Sequence, residues 1–502
     1  MNGISPAPMP TGPAMEHDRP VVRDADDISA IINAGPRAGG HARIVVALAL
    51  GGVFLDAYDL TTLSWGINDV QAHFHLSAFQ TGLVAAALNA GTIVGSIAGG
   101  WLTDRIGRYA VFMADMVCFV IAALVAGFAP TAGVLIAARF AMGLGVGMDL
   151  PVAMAFLSEF SRLDGRGSKA ARAAAWCPTW YAASSLCLVI VLALAQVLPA
   201  GHSQWLWRAS LAFGAVPALI IIMVRGRYMS ESPVWIARRG DLARAAAIIR
   251  RSHGVDPIVR PRPAPPPVPA PDPRRLLRAP LLRRGLLIAG MTVISSFSYC
   301  AIIFGMPGLL GAMLHASAVQ VLVISVALNL LVAFPGGLLG VRLTRSVRSR
   351  LPLMWGYALQ MAGVGALALV GTPHGAFGAA TVVAGFAAFI FAQGFGPGCQ
   401  LMAYPTLSYP TELRGMGIGL ARLVSGVGST LALTFLPWLG THLGTALFWL
   451  VLAAPTAGLV MTLASRWDVF GYDPDMDPAL RAAPVPAPVA AQLHALPAES
   501  GA

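Results

Sequence analysis

Two aspartates lie one helical turn apart inside the first long apolar stretch of the chain. Asp56 and Asp59 are the only charged residues between Val53 and Trp65. An ionised carboxylate at the centre of a bilayer costs roughly 2.5–3.5 kcal/mol on insertion scales, and residues at i and i+3 share one helix face. That face must therefore meet water or a partner, which suits a proton or substrate site. A purely structural ion pair is the alternative interpretation.

The fourth apolar stretch carries three more charges, Arg139, Asp149 and Glu159, spaced ten residues apart. Ten residues of helix span roughly 15 Å, so Arg139 lies at a depth similar to that of Asp59. We therefore predict an Asp59–Arg139 pair that keeps Asp59 charged and leaves Asp56 or Asp149 to carry the proton. These four residues form the predicted proton-coupling set, and Glu159, at the helix end, is predicted to act as a gate or structural salt bridge.

The second half of the chain has a single charge deep inside an apolar stretch, Arg422. A buried cation opposite acids of the first half indicates an anionic substrate, and a carboxylate suits it because arginine pairs with carboxylates through two hydrogen bonds. The other predicted substrate-binding residues are polar or aromatic: Tyr58, Trp180, Tyr181, Tyr299, Asn329, Gln393 and Gln400. For each aromatic, packing or an interface belt is the alternative.

The composition is that of a membrane protein with several spans. Of the 502 residues, 56% are hydrophobic and 11% are charged, whereas soluble domains carry roughly 25% charged residues. The net charge of +11 comes from basic residues in the connections, so we expect no nucleic-acid partner. The five cysteines fall in apolar segments without paired loop spacing, which indicates neither a disulfide nor a metal site. We expect no cofactor, and no nucleotide-binding loop supports direct ATP drive.

Twelve stretches meet the length of about 20 mostly apolar residues that a membrane helix needs. They lie near 43–67, 80–103, 108–128, 131–157, 174–198, 205–224, 285–312, 317–341, 350–370, 376–405, 415–440 and 442–465. Basic residues concentrate in alternate connections and the opposite loops carry none. This positive-inside pattern predicts that both termini are cytoplasmic.

The predicted organisation has five parts. They are a disordered cytoplasmic tail (1–42), a six-helix half (43–224), a cytoplasmic linker (225–284), a second six-helix half (285–465) and a cytoplasmic C-terminal tail (466–502). The first tail has no apolar core with a cleavage site, so it is not a signal peptide. In the linker, Ser232 and Pro233 predict the start of a short helix through Ser252. The segment Pro257–Pro273, with nine prolines in 17 residues, predicts an extended solvated chain.

The turn after the second stretch, residues 99–108, reads Gly-Gly-Trp-Leu-Thr-Asp-Arg-Ile-Gly-Arg. A weaker copy at 337–345 has Val341 in place of Asp104, so the halves look like a repeat. The pattern resembles the loop signature of the major facilitator superfamily of solute transporters. The resemblance implies an all-α integral membrane fold, with twelve transmembrane helices in two six-helix halves related by a pseudo-two-fold repeat.

The same resemblance implies a conformational gate at this turn and at the matching ends of other helices. Residues 409–415, Tyr-Pro-Thr-Glu-Leu-Arg-Gly, resemble the corresponding turn between helices 10 and 11 of related transporters. The predicted gate residues are Gly100, Asp104, Arg105, Gly107, Arg108, Glu159, Arg166, Glu412 and Arg414.

Finer resemblances concern the substrate. Residues 139–160 resemble helix 4 of phosphate:proton symporters and of their organic-acid and sugar-porter relatives, and residues 56–59 resemble the Asp-Gly-x-Asp motif of aromatic-acid:proton symporters. Helix 10 has Gly398 where phosphate symporters carry asparagine, and Leu407 stands in place of a sugar-porter glutamate. The fifth stretch lacks the glycines that drug antiporters carry there.

We therefore predict a proton-coupled symporter, not an enzyme, that imports a small organic anion such as an aromatic or other carboxylate by alternating access. It is expected to act as a monomer in the inner membrane, with the substrate, protons and the lipid bilayer as its partners. The alternatives are a proton-driven exporter of a metabolite or drug, a phosphate or sugar symporter, and a sensor on the same scaffold that does not transport.

Overall fold

The computed structural model describes residues 15–16, 19–34, 48, 51–159, 168–197, 203–260, 273–472, 474, 477 and 480. Within these residues the chain is almost entirely helical and forms two six-helix halves. In the first half, membrane helices 1 to 4 are Gly51–Phe74, Ala78–Ile106, Arg108–Gly127 and Ala132–Glu159. Helix 5 consists of Ser168–Ala174 and Trp176–Val197, and helix 6 of Ser203–Phe213 and Ala215–Tyr228.

The second half contains three helices that include a π-helical turn. Helix 7 runs through Leu281–Tyr299, Cys300–Phe304 and Met306–Leu314, and helix 8 through Ala318–Ala327, Leu328–Ala333 and Phe334–Ser346. Helix 10 runs through Gly375–Gln393, Gly394–Gly398 and Cys399–Ser408. Helices 9, 11 and 12 are Arg350–Val370, Thr411–Leu443 and Leu447–Ala464. Because π-turns are often found at functional sites, helices 7 and 10 are natural places to look for one.

Twelve membrane helices were predicted, and the fold confirms this arrangement. Ten described stretches are long and apolar enough to cross a membrane, judged by length and composition. Helix 1 is not among them, and its described part carries three acids, Asp56, Asp59 and Asp69. The stretch Met416–Ala464 contains both helices 11 and 12. A turn at Gly444, whose φ is 52°, separates those two helices.

Glycines bring helices 2 and 4 into backbone contact. A Cβ atom added at Gly99 would lie 2.6 Å from the Cα atom of Met148, and one at Gly91 would lie 2.1 Å from the carbonyl oxygen of Phe140. Small residues serve this purpose in membrane bundles generally. The contact fixes helix 4, which carries Arg139 and Asp149, against the rest of the first half.

Residues 15–16 and 19–34 contradict the prediction of a disordered tail over 1–42, and the other residues of that tail lie outside the described part. Strand β2 (Arg19–Val22) pairs antiparallel with β1 (Met15–Glu16) and parallel with β3 (Ile258–Val259) in the linker. A helix, Ala25–Ala34, follows and packs through its isoleucines on the linker. The few apolar residues of this polar tail thus bury themselves against a surface that follows more than 200 residues later in the chain.

The linker also differs from its prediction. Ser232 caps a helix as predicted, accepting a hydrogen bond from the Trp235 N–H, but the helical segment is divided into Pro233–Arg238 and Leu242–His253. The division falls at Gly240, whose φ of 91° interrupts a helix. Residues 258–260 pair with β2 rather than extending freely, and residues 261–272 of the Pro-rich segment lie outside the described part.

Candidate transport site

A cavity lies between the two halves. Its lining comes from helices 1, 2 and 5 of the first half and from helices 7, 10 and 11 of the second. Six predicted site residues line it, namely Asp56, Trp180, Tyr181, Tyr299, Gln393 and Arg422. Lining residues that the sequence analysis missed include Asn89, Trp176, Ser295, Ser296, Ser425 and Ser429. The available signal for most of these lining residues was a small polar side chain in an apolar helix, but such side chains are too common to identify a site.

An ion pair between the halves spans this cavity. Arg422 Nη2 donates a hydrogen bond of 2.9 Å to Asp56 Oδ2, and the two side chains are 16% and 6% exposed. Asp56 was predicted to lack a basic partner, and this prediction is wrong. Its partner is 366 positions away in the chain, and neither depth nor periodicity connects helix 1 with helix 11.

A second pair, Asp59–Arg139, is present as predicted. Arg139 Nη1 lies 2.9 Å from Asp59 Oδ2, and both side chains are buried. Arg139 Nε also donates to the carbonyl oxygen of Val84 on helix 2, at 3.2 Å. Neither residue is among those lining the cavity. The role of this pair in proton coupling stays a prediction.

Asp149 also has a basic partner, since Arg225 Nη2 of helix 6 lies 3.0 Å from Asp149 Oδ1. Asp115 of helix 3 lies beside them, 3.9 Å from Arg225 Nη1. Asp115 was not among the predicted site residues, although an isolated acid inside the stretch 108–128 is a usable signal. All three predicted coupling acids are therefore paired, so the expectation that one of them lacks a cation is wrong.

Aromatic side chains form one wall of the cavity. Trp180 Nε1 donates to Tyr299 Oη at 2.6 Å, which joins helix 5 to helix 7. Trp176 and Phe304 extend the wall by edge-to-face contacts, with ring centroids 5.7 Å from Trp180 and 5.6 Å from Tyr299 respectively. Such a wall offers an apolar surface with a polar edge.

The polar lining on the other helices is largely paired with itself. Gln393 Nε2 donates to Ser295 Oγ at 3.1 Å, and the hydroxyl oxygens of Ser296 and Ser425 are 2.5 Å apart. Asn89 is different because its Nδ2 atom is buried without a hydrogen-bond partner among the described residues. An unpaired buried donor costs free energy, so Asn89 is a natural donor to a bound oxygen ligand.

Three predicted lining residues lie elsewhere. Tyr58 projects from another face of helix 1 than Asp56 and donates to the carbonyl oxygen of Ser210 at 3.1 Å. Asn329 Nδ2 donates to the carbonyl oxygen of Ser325 in its own helix, at 3.0 Å. Gln400 Nε2 donates to Thr344 Oγ1 at 2.9 Å and borders a separate small cavity.

Part of the predicted gate contacts the linker. Arg108 N–H donates to Glu231 Oε1 at 3.0 Å, and the carbonyl oxygen of Arg105 accepts from Arg239 Nη2 at 2.6 Å. Gly107 has a φ of 103°, a conformation that favours glycine. The gate role of these residues stays a prediction. Other members fall outside the described residues or side chains: Gly100, Asp104, Glu159, Arg166, Glu412 and Arg414.

Known proteins with this sequence pattern are transporters. The profile described as "Sugar (and other) transporter" matches residues 44–464, which include all twelve helices. The chain belongs to this family. The inner membrane metabolite transport protein YgcS of Escherichia coli (strain K12) is 28% identical over 428 residues, covering 84% of this chain and 90% of the relative. The arabinose-proton symporter of Bacillus subtilis (strain 168) is 31% identical over 211 residues, covering 42% of this chain and 45% of the relative.

Solved structures place the fold in the same group. The xylose transporter XylE from E. coli, in a partially occluded inward-open conformation, superposes with a TM-score of 0.69 at 15% identity, covering 86% of this chain and 99% of XylE. As a family member with the major facilitator fold, the chain is a multi-pass membrane transporter of the sugar and metabolite type.

Asn89→Leu is expected to weaken substrate binding about two- to tenfold, because a hydrogen bond contributes roughly 0.5–1.5 kcal/mol. The matched control is Asn329→Leu, which alters the same residue type outside the cavity. Dissociation constants of the purified variants measure the effect. Equal losses in both variants would contradict the placement of Asn89 in the site.

Proposed function

We propose that the protein is a proton-coupled symporter that imports a small organic anion, such as an aromatic or other carboxylate, by alternating access. The observation that carries the proposal is the Asp56–Arg422 pair, which joins the two halves across the central cavity. Arginine binds carboxylates through two parallel hydrogen bonds. A substrate carboxylate would therefore compete with Asp56 for the same guanidinium group.

Competition for Arg422 provides a mechanism of coupling. When a substrate anion takes Arg422, Asp56 loses its counter-charge although its side chain is only 6% exposed, and an unpaired buried carboxylate is costly. A proton on Asp56 removes that cost, so anion and proton bind favourably together. We therefore assign the coupled proton to Asp56 rather than to Asp149, which does not line the cavity. A monoanion and one proton cross together with no net charge.

The lining supports a substrate with one anionic group and an apolar body. Trp176, Trp180 and Tyr299 offer aromatic surface on one side, while Arg422 and Asn89 offer donors. Gln393, the other amide in the lining, is already engaged with Ser295. A sugar requires many polar contacts, and a neutral sugar has no charge with which to displace Asp56 from Arg422. Phosphate would make little use of the aromatic wall.

Uptake into proteoliposomes under an imposed inward proton gradient tests the proposal. We expect the gradient to drive accumulation of a carboxylate such as benzoate or an aliphatic acid, with no accumulation of phosphate, xylose or arabinose. The sugars belong in the panel because the arabinose-proton symporter and the xylose transporter XylE are similar to this chain. Sugar accumulation without carboxylate transport would contradict the proposed substrate class. Release of the carboxylate from the proteoliposomes, driven by the inward proton gradient, would favour the exporter.

We further propose a monomer in the inner membrane. Both termini and the linker are assigned to the cytoplasm because basic residues concentrate in alternate connections. Arg251→Cys in the linker and Thr372→Cys in the connection between helices 9 and 10 test this, since both positions are exposed. In intact cells an impermeant maleimide is expected to label Thr372→Cys only. Labelling of Arg251→Cys from outside would show the reverse orientation.

A further inference from the structure

A short segment that joins the linker to membrane helix 7 has two different faces. It begins with a 3₁₀ helix, Pro273–Leu277, and helix 7 follows from Leu281. Residues 273–286 read Pro-Arg-Arg-Leu-Leu-Arg-Ala-Pro-Leu-Leu-Arg-Arg-Gly-Leu, so pairs of arginines and leucines recur along it. The stretch that is apolar enough to cross a membrane starts at Leu281. The segment therefore lies where the chain enters the bilayer.

One face of the segment packs on the chain that follows helix 12. Leu281 is buried in an apolar cluster that also contains Leu480. Arg275 Nη2 donates to the carbonyl oxygen of Leu480 at 2.7 Å, and Arg284 Nη2 donates to Asp477 Oδ2 at 3.0 Å. These contacts fix the segment and so determine which of its side chains point away from the protein.

The opposite face, which we call the exposed face, consists of Leu277, Arg278, Arg283 and Leu286. The two leucines are 68% and 64% exposed, and both arginines are exposed as well. Among the described residues, neither guanidinium group has a hydrogen-bond or ion-pair partner. Leu286 belongs to the membrane span, but Leu277 precedes it. Contact of the span with acyl chains therefore does not account for the exposure of Leu277.

We propose that the exposed face binds an anionic phospholipid at the start of helix 7. Arg278 and Arg283 pair with the phosphate of the headgroup. Leu286 contacts the acyl chains, and Leu277 enters the interfacial layer, as apolar side chains of amphipathic segments do at membrane surfaces. The site lies outside the transport cavity and does not depend on the proposed substrate.

Charge and position favour this ligand. Arginine pairs with phosphate through two hydrogen bonds, and basic residues beside a membrane span attract anionic lipids. Arg283 and Leu286 are three residues apart on one helix, so they share a face and place the charge next to the acyl-chain contact. A soluble phosphate compound would match the arginines but would leave Leu277 in water.

Melting of the purified full-length protein in detergent micelles tests the proposal. We expect added phosphatidylglycerol to raise the melting temperature in a saturable manner, because a ligand that binds the folded state stabilises it. Phosphatidylcholine with the same acyl chains and soluble glycerol phosphate should have no such effect. An equal rise with phosphatidylcholine would show acyl-chain binding without charge recognition, and an equal rise with glycerol phosphate would show an anion site without lipid contact. Either result would overturn the proposal.

The arginines are tested by Arg278→Gln/Arg283→Gln. Each arginine near an anionic membrane surface contributes a factor of about five in affinity, so we expect the midpoint of the phosphatidylglycerol titration to rise about 25-fold. Because both side chains are exposed, the melting temperature without lipid should stay that of the wild type. The matched control Arg251→Gln alters an exposed arginine of the linker and should keep the wild-type midpoint. A wild-type midpoint in the double variant would refute the role of the two arginines.

Leu277→Gln separates insertion into the interface from attraction by charge alone. The variant keeps both arginines and removes the exposed apolar side chain, so the titration midpoint should rise several-fold. Arg278→Lys/Arg283→Lys keeps both positive charges and loses the planar donor geometry, so its midpoint should lie between those of the wild type and the glutamine double variant. A wild-type midpoint in Leu277→Gln would show that charge alone attracts the lipid and would contradict binding to the exposed face.

Discussion

Arg422→Gln is expected to abolish high-affinity binding of the anionic substrate. Arg422 is the membrane-embedded cation that lines the described cavity, and its guanidinium group faces Asp56 at 2.9 Å. Truncating one member of a buried charge pair costs roughly 2–5 kcal/mol, which corresponds to an affinity loss of about 30-fold to several thousand-fold. Equilibrium binding of the carboxylate that the uptake panel selects measures this loss in purified protein.

Two further variants make the result specific. Arg422→Lys keeps the charge but loses the planar two-donor geometry, so we expect an intermediate loss of affinity. Arg342→Gln removes an exposed arginine from the same half and should bind like the wild type. Because Arg422→Gln leaves Asp56 without its cation, the double variant Asp56→Asn/Arg422→Gln shows whether lost binding reflects misfolding. Normal substrate affinity in a folded Arg422→Gln variant would show that Arg422 does not bind the substrate.

In the first half, the sequence predicted one buried ion pair but not the rotation of helix 1 or the role of helix 3. The Asp59–Arg139 pair was predictable because both residues lie on long apolar helices, where the rise per residue determines depth. The same argument gave no information about helix rotation, so Tyr58 was assigned to the cavity although it points toward Ser210 on helix 6. Asp115 was missed because its importance depends on Asp149 and Arg225, which only the packing of helices 3, 4 and 6 brings to it.

Contacts between the two halves could not be predicted from the sequence. Arg422 was recognised as a buried cation opposite the acids of helix 1, but its pairing with Asp56 depends on how two six-helix units meet. The N-terminal strand and helix present a similar case. Residues 19–34 have few apolar side chains, and these become a core only when linker residues pack against them. Local composition reports no such partner, so the segment was predicted to be disordered.

The central claim is that Asp56 carries the proton that enters with the anion. In Asp56→Asn the amide cannot ionise or compete as a charge for Arg422, so the variant imitates the protonated state at every pH. Its substrate affinity should therefore no longer depend on pH, and binding should not require a proton. Asp69→Asn, on the same helix but outside the cavity, is the matched control.

The decisive measurement compares two assays in proteoliposomes that contain Asp56→Asn. One follows accumulation of labelled carboxylate under an inward proton gradient, and the other follows exchange of the same carboxylate across the membrane without a gradient. We expect Asp56→Asn to lose gradient-driven accumulation completely while it retains exchange, and Asp69→Asn to retain both. Normal gradient-driven accumulation by Asp56→Asn would contradict the assignment of the coupled proton to Asp56.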